Sequence, residues 1–175
     1  ANGLHAEFVI DTHAHADHFS GGMELAKKLN LPYYVNDIEV DKVFSFKSLK
    51  DIDVLSLGET RIKLISTPGH TDGSMSLFVN DTALLCGDLL LLESPGRPDL
   101  ARTKNETVKG AGILFDTITA LLPSLKDETR IFPSHFTKTL IRPVTMTIGE
   151  LKTESKPLTM TDKDEFIDYI TSSIP

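Results

Sequence analysis

The stretch "THAHADHFSGG" places His13, His15, Asp17 and His18 within six consecutive positions, and with them three of the chain's six histidines. An imidazole titrates near neutrality and binds metal through a neutral ring nitrogen. Crowding several together is electrostatically awkward unless a cation sits between them. His70 and His135 stand apart from the cluster, each closing an apolar run in "LISTPGH" and "RIFPSH", and Asp88 closes a third in "ALLCGD". Imidazole and carboxylate donors of this kind suit a first-row divalent metal. His5 has no partner at a ligand spacing and is read as a surface or helix-end residue. Cys86 shares a strand face with Asp88 by alternation, but as a free cysteine in an apolar run it is read as a small buried hydrophobe.

The elements that must position these residues follow from the apolar pattern. Phe8-Val9-Ile10 predicts a short buried strand that stops where the histidine cluster begins, after an opening segment that reads as the tail of a helix ending at Gly3. Ser20 caps a helix from about Gly22 to Leu29, with Leu25 and Leu29 on one face and Pro32 beyond its end, and "PYYVN" is the next strand. Val54 to Leu57 and Ile62 to Ile65 flank Gly58-Glu59 as a hairpin, a second hairpin turns at Asn80-Asp81, and a later strand ends near Pro133. A helix from about Glu106 to Leu122 presents Val108, Ala111, Phe115, Ile118 and Leu122 to the sheet. A last helix starts near Thr161 with Asp162 and Glu165 as a capping box, and buries Phe166, Ile167, Ile170 and Ile174. Four apolar runs thus stop and present His or Asp within a few residues, which gathers the chemistry at one sheet edge.

With 175 residues, 40% of them hydrophobic, and no repeat, linker or low-complexity tract, the chain is expected to form one domain of mixed α/β layers spanning 1–175. Its apolar runs are too short and too often broken by charge to span a membrane. A formal net charge of -7 with scattered basic residues argues against nucleic-acid binding and points to small-molecule or protein partners. A lone cysteine excludes an internal disulfide and fits a reducing compartment, the cytoplasm or an organelle matrix.

"THAHADH", "TPGHTDGS", "CGD" and "PSH", in this order and spacing, resemble the metallo-β-lactamase superfamily from Asp11 to His135. The resemblance implies an αββα sandwich with its metal site at one edge of the two sheets. It also implies two metal positions, one bound by His13, His15, His70 and Asp88, the other by Asp17, His18, Asp88 and His135. Glyoxalase II enzymes in this superfamily keep two metals and activate a bridging water. Persulfide dioxygenases hold one Fe(II) through two histidines and an aspartate. "CGDLLLLESPGRPDLA" is similar to the dioxygenases, particularly those fused to rhodanese domains, and the stretch from Ile141 to Ile170 resembles their tail.

Carried over by position, His13, His70 and Asp88 would hold the iron, while His15, Asp17, His18 and His135 orient ligands and handle protons. Asp99 would support the metal-bound ligands, and Arg97 would help seat an acidic thiol. The same Gly-Arg-Pro-Asp residues also read as a surface turn held by an Arg-Asp pair. Phe136 and Thr137 follow His135 where many dioxygenases carry an aromatic hydroxyl, and the resemblance implies strands before Gly3, so the sequence is expected to be an incomplete domain or one excised from a longer chain. The implied activity is oxidation of a low-molecular-weight thiol persulfide, such as glutathione persulfide, by O2 to sulfite and thiol. The alternative is a glyoxalase II-like thioester hydrolase with one or two zinc ions. A fused or partner rhodanese domain and a homo-oligomer complete the implied partners.

Overall fold

Short β-branched and aromatic runs separated by Gly, Asn and Asp turns favour strands, and the chain realises them in two sheets. The computed structural model describes residues 3–15, 20–40, 45–50, 52–99, 103–136, 144–172 and 174. The first sheet is parallel and runs in the order β1 (Val9–Ile10), β2 (Tyr33–Val35) and β3 (Lys47–Ser48), with helix α1 (Gly21–Leu29) crossing from β1 to β2. The second sheet begins as an antiparallel meander of β4 (Val54–Leu57), β5 (Thr60–Ser66), β6 (Met75–Val79) and β7 (Ala83–Gly87). Helix α2 (Lys104–Leu121) then carries the chain to β8 (Arg130–Pro133), parallel to β7, as a parallel pairing requires of its connection. Antiparallel β9 (Met146–Thr147) closes the sheet and leads into α3 (Ile148–Glu154) and α4 (Lys163–Ser172).

Three apolar clusters define the layers. Ala26 of α1 packs with Tyr33 and Val35 on the outer face of the first sheet. Tyr34 and Leu49 meet Ile62, Leu64, Met75 and Leu77 between the sheets. Leu84 and Ile131 of the second sheet bury against Leu114 and Ile118 of α2, Leu151 of α3 and Phe166 of α4. Helix, sheet, sheet and helices stack in the expected αββα order. Each fully buried Leu or Phe in these clusters contributes about 1.5–3 kcal/mol through removal of apolar surface from water.

The turns follow the sequence reading. Gly58 has φ +59° in the first hairpin, and Asn80 and Asp81 take φ +47° and +54° in the second, the left-handed pair that a tight hairpin demands. Helix α1 is capped by the Ser20 hydroxyl, which accepts from Gly22 N, and α4 by Asp162, which accepts from Glu165 N.

Some expectations are corrected. In α2 the buried stripe is Ala111, Leu114, Ile118 and Leu121, with Leu122 buried just past the helix, whereas Val108 is 41% exposed. That residue, the fifth of the helix, lines an open groove with Lys104, Thr107 and Asp168 rather than the sheet. Leu25 and Leu29 of α1 are about half exposed because the helix rests on Ala26 instead. Ile174 is only half-buried and follows α4 rather than belonging to it. The helix tail proposed before Gly3 lies outside the described residues. No helix among the described residues is long and apolar enough to cross a membrane.

Candidate metal centre

The strand directions explain why distant residues meet. Since β6 is antiparallel to both β5 and β7, and β8 is parallel to β7, strands β5, β7 and β8 all point the same way. Their carboxyl ends therefore share one rim, and they lead into His70, Asp88 and His135. A hydrogen bond from Met75 N to Thr12 O (2.8 Å) ties the end of β1 in the other sheet to this rim, which brings in His13 and His15. Gly87 makes the approach possible. At φ +53° it turns the chain into Asp88, and a Cβ there would lie 2.9 Å from Thr12 Oγ1.

His13, His15, His70 and Asp88 each direct a ligand atom into one space, all within 4.8 Å of one another. His15 Nε2 lies 3.1 Å from His13 Nε2 and 3.2 Å from His70 Nε2. Asp88 Oδ2 is 3.4 Å from His70 Nε2, 3.7 Å from His13 Nε2 and 4.0 Å from His15 Nε2. His70 Nδ1 donates to Arg97 O at 2.6 Å, and because a carbonyl only accepts, the Nε2 lone pair of the neutral ring faces the cluster. The opposite nitrogen of His13 contacts the Thr12 hydroxyl at 3.0 Å.

Burial keeps the His13 and His70 rings neutral and thus fit to bind metal. Desolvation lowers the His70 pKa to about 4 against the pull of Asp88, and lowers that of His13 in the same way. Burial alone would raise the Asp88 carboxyl, but the Ser134 hydroxyl and the imidazoles of His70, His13 and His135 outweigh it and hold the group below its ordinary value. Neutral imidazole lone pairs and an ionised carboxylate converging on one point form a donor set that a divalent first-row cation completes.

The remaining expected residues fall as follows. His135 Nε2 lies 3.0 Å from the same Asp88 Oδ2, on the more open side of the site, its side chain 56% exposed. Arg97 and Asp99 form a two-pronged pair, with Nε to Oδ1 at 2.9 Å and Nη2 to Oδ2 at 2.5 Å. Arg97 thus touches the cluster through its backbone carbonyl, while half of its side chain faces solvent. His5 is exposed and outside the group. Cys86 is buried, its thiol donates to Leu90 O, and burial pushes its pKa up to about 12, which leaves it a protonated core residue. Phe136 packs against the helix-side core. Asp17, His18 and Thr137 lie outside the described residues.

Sequence reasoning missed the residues that brace the ligands. Ser134 holds Asp88, and its only signal is its place beside His135. Asp11 accepts from the Ser20 hydroxyl and from Tyr33 Oη (2.6 Å), which locks the start of α1 to the end of β1. Burial, with the Asp11 carboxylate, raises the Tyr33 phenol. Glu39 accepts backbone N–H groups from both His-bearing loops.

Residues 7–135 match the family model of the metallo-beta-lactamase superfamily. The chain belongs to that superfamily. Its fold is similar to a metallo-beta-lactamase of Staphylococcus aureus subsp. aureus COL, with a TM-score of 0.84 and 30% identity, over 95% of this chain and 53% of that one. It is also similar to ETHE1 of Myxococcus xanthus, with a TM-score of 0.77 and 26% identity, over 97% of this chain and 70% of that one. A beta-lactamase hydrolase-like protein of Xylella fastidiosa (strain 9a5c) is 28% identical over 185 residues, 94% of this chain and 41% of that protein. The chain thus spans about half the length of the S. aureus protein and less of the Xylella one.

Proposed function

We propose that the chain is an iron-dependent persulfide dioxygenase that oxidises a low-molecular-weight thiol persulfide, glutathione persulfide or a close analogue. The overall change is RSSH + O2 + H2O → RSH + sulfite + 2 H+, in which the outer sulfur is oxidised and dioxygen is reduced. The observation that carries this reading is the convergence of His13, His15, His70 and Asp88, within which His13, His70 and Asp88 offer two imidazoles and one carboxylate, with the tautomer of His70 set by Arg97 O. The resemblance of "CGDLLLLESPGRPDLA" to the dioxygenase branch and the likeness to ETHE1 support it.

His13, His70 and Asp88 would hold Fe(II), which when bound supplies open positions for a sulfur ligand and dioxygen. The chain's own groups do the rest. His15, within 3.2 Å of both other rings, restricts where a ligand can enter. His135 and Ser134 keep the Asp88 carboxylate ionised and oriented. His135, on the open side of the site, is the residue this reading assigns to proton handling. The resemblance would assign Asp17 and His18, which lie outside the described residues, to tuning the site. The Arg97 guanidinium, held by Asp99 yet half exposed, attracts the carboxylate of an acidic thiol. A fused or partner rhodanese domain would supply or consume persulfide sulfur.

One observation favours a second reading, a zinc-dependent thioester hydrolase of the glyoxalase II type. His15 joins the cluster as a fourth donor, and His135 also meets Asp88, so that these residues would hold metal for hydrolysis by an activated water. Oxygen uptake on adding glutathione persulfide to iron-loaded protein tests the choice, with Asp88→Ala as the blank. Uptake matched by sulfite is expected. Two bound zinc ions per chain, with thioester hydrolysis and no uptake by the iron form, would overturn the dioxygenase reading.

A further inference from the structure

Glu39 lies in the turn after β2, outside every motif that points to metal chemistry. Because β2 runs parallel to β1, its carboxyl end reaches the same rim as the histidine cluster. The turn is held by Glu39 N donating to Asn36 O (3.0 Å) and Ile38 N donating to Asn36 Oδ1 (3.2 Å), and Asn36 is buried. From there the half-buried carboxylate spreads its two oxygens between two loops. Oε2 accepts from Ala14 N at 3.0 Å, between His13 and His15, and Oε1 accepts from Gly73 N at 2.5 Å, in the loop that carries His70. That second loop is closed on itself, with Thr67 N donating to Ser74 O (2.8 Å) and the Thr71 and Ser74 hydroxyls 2.6 Å apart, so a pull at Gly73 is transmitted to His70. Gly73 leaves the carboxylate room to enter, since a Cβ there would lie 2.5 Å from Glu39 Oε1.

We infer that Glu39 is a positioning residue, a carboxylate clamp that fixes the spacing between the His13/His15 loop and the His70 loop before any metal arrives. Resting on the metal reading above, it deepens it by assigning the preorganisation of the ligands to one acid that accepts from backbone N–H groups of both loops. A carboxylate is required because both N–H groups need an acceptor at once. Glutamine offers one oxygen and turns an NH2 toward the second N–H, which leaves that donor unsatisfied.

The test combines Co(II) titration, followed by its visible absorption, with amide hydrogen exchange of the metal-free protein for wild type, Glu39→Gln, Glu39→Ala and Gly73→Ala. Glu39→Ala should speed exchange at both Ala14 and Gly73 by tenfold or more, and Glu39→Gln at one of the two. All three variants should weaken Co(II) about 10–100-fold, the range typical for loss of groups that orient ligands, with a shifted Co(II) spectrum and unchanged helix content. Gly73→Ala reaches the same end with the acid intact, so a fold lost in Glu39→Ala does not remove the test. Wild-type affinity and spectrum in the Glu39 variants would overturn the inference, as would full protection of both amides in Glu39→Ala. If the wild type takes up no Co(II), the metal reading falls instead, and protection of the two amides alone then decides whether the clamp exists.

Discussion

Acid should destabilise the metal-free protein through His70, and the size of the effect follows from its burial. The ring is 3% exposed and its pKa is lowered to about 4 from an unfolded value of 6.5. Between these values the unfolded chain binds a proton that the folded protein refuses, so stability falls as pH falls through this window and flattens below about 4. The gap corresponds to about 3 kcal/mol for this one residue. His13, also held down by burial, adds in the same direction. Asp88, held low, stabilises the fold above its ordinary value and ceases to do so only at more acid pH. Urea unfolding in the presence of a chelator, at intervals from pH 7.5 to 4, measures the loss. His70→Gln removes the titrating ring and should flatten the profile by about that amount. Parallel profiles for wild type and His70→Gln would refute the argument, because they would place the acid sensitivity elsewhere. A saturating divalent metal should raise stability near neutrality by about 2.7 kcal/mol at a hundredfold excess over its Kd, and that increment should vanish on acidification as protons compete for the imidazoles.

Other expectations are more local. Asp88→Ala removes the carboxylate that faces three histidines of the cluster and should abolish stoichiometric metal binding, measured by elemental analysis; retained iron at one per chain would exclude Asp88 as a ligand. Phe166→Ala empties a side chain that is 1% exposed and stacks edge-on with Phe115 at 5.4 Å, so thermal or urea unfolding should show a loss of about 3–5 kcal/mol. Thr147→Ala breaks the capping box with Glu150 at the start of α3 and should cost about 1 kcal/mol, with little effect on metal affinity because α3 packs on the helix side of the second sheet.

How much of this was legible in the sequence depended on how local the cause is. Strand ends were readable because apolar runs stop at Gly, Pro, Asn or Asp, and those stops put His70, Asp88 and His135 at a shared edge before any topology was known. Helix α3 was not read from the sequence, although Thr147 followed by Glu150 marks its start. Strands β3 and β9 are two residues each and have no pattern of their own; they exist because a neighbouring strand offers them partners. In α2 the expected Ala111, Ile118 and Leu122 are buried and Phe115 packs against the core, but Leu114 and Leu121 widen the buried stripe and Val108 falls outside it. Glu39 was invisible for the plainest reason. Its partners are backbone N–H groups 25 and 34 residues away, and an amide has no residue type to read.

The same division orders the site itself. The candidate ligand atoms come from side chains whose identities announce them, but their positions are held by groups that do not: the carbonyl of Arg97, the hydroxyls of Thr12 and Ser134, and the carboxylate of Glu39. His70 depends on a backbone atom of a segment whose side chains pair with each other, Arg97 with Asp99. A change in that pair moves the Arg97 carbonyl, and with it the imidazole, without altering a single ligand. Two chains with the same histidines and aspartate can therefore differ in which metal they retain and how open its remaining positions are. In this superfamily the choice between hydrolysis and oxygen chemistry is accordingly best sought in the bracing residues around the shared ligands.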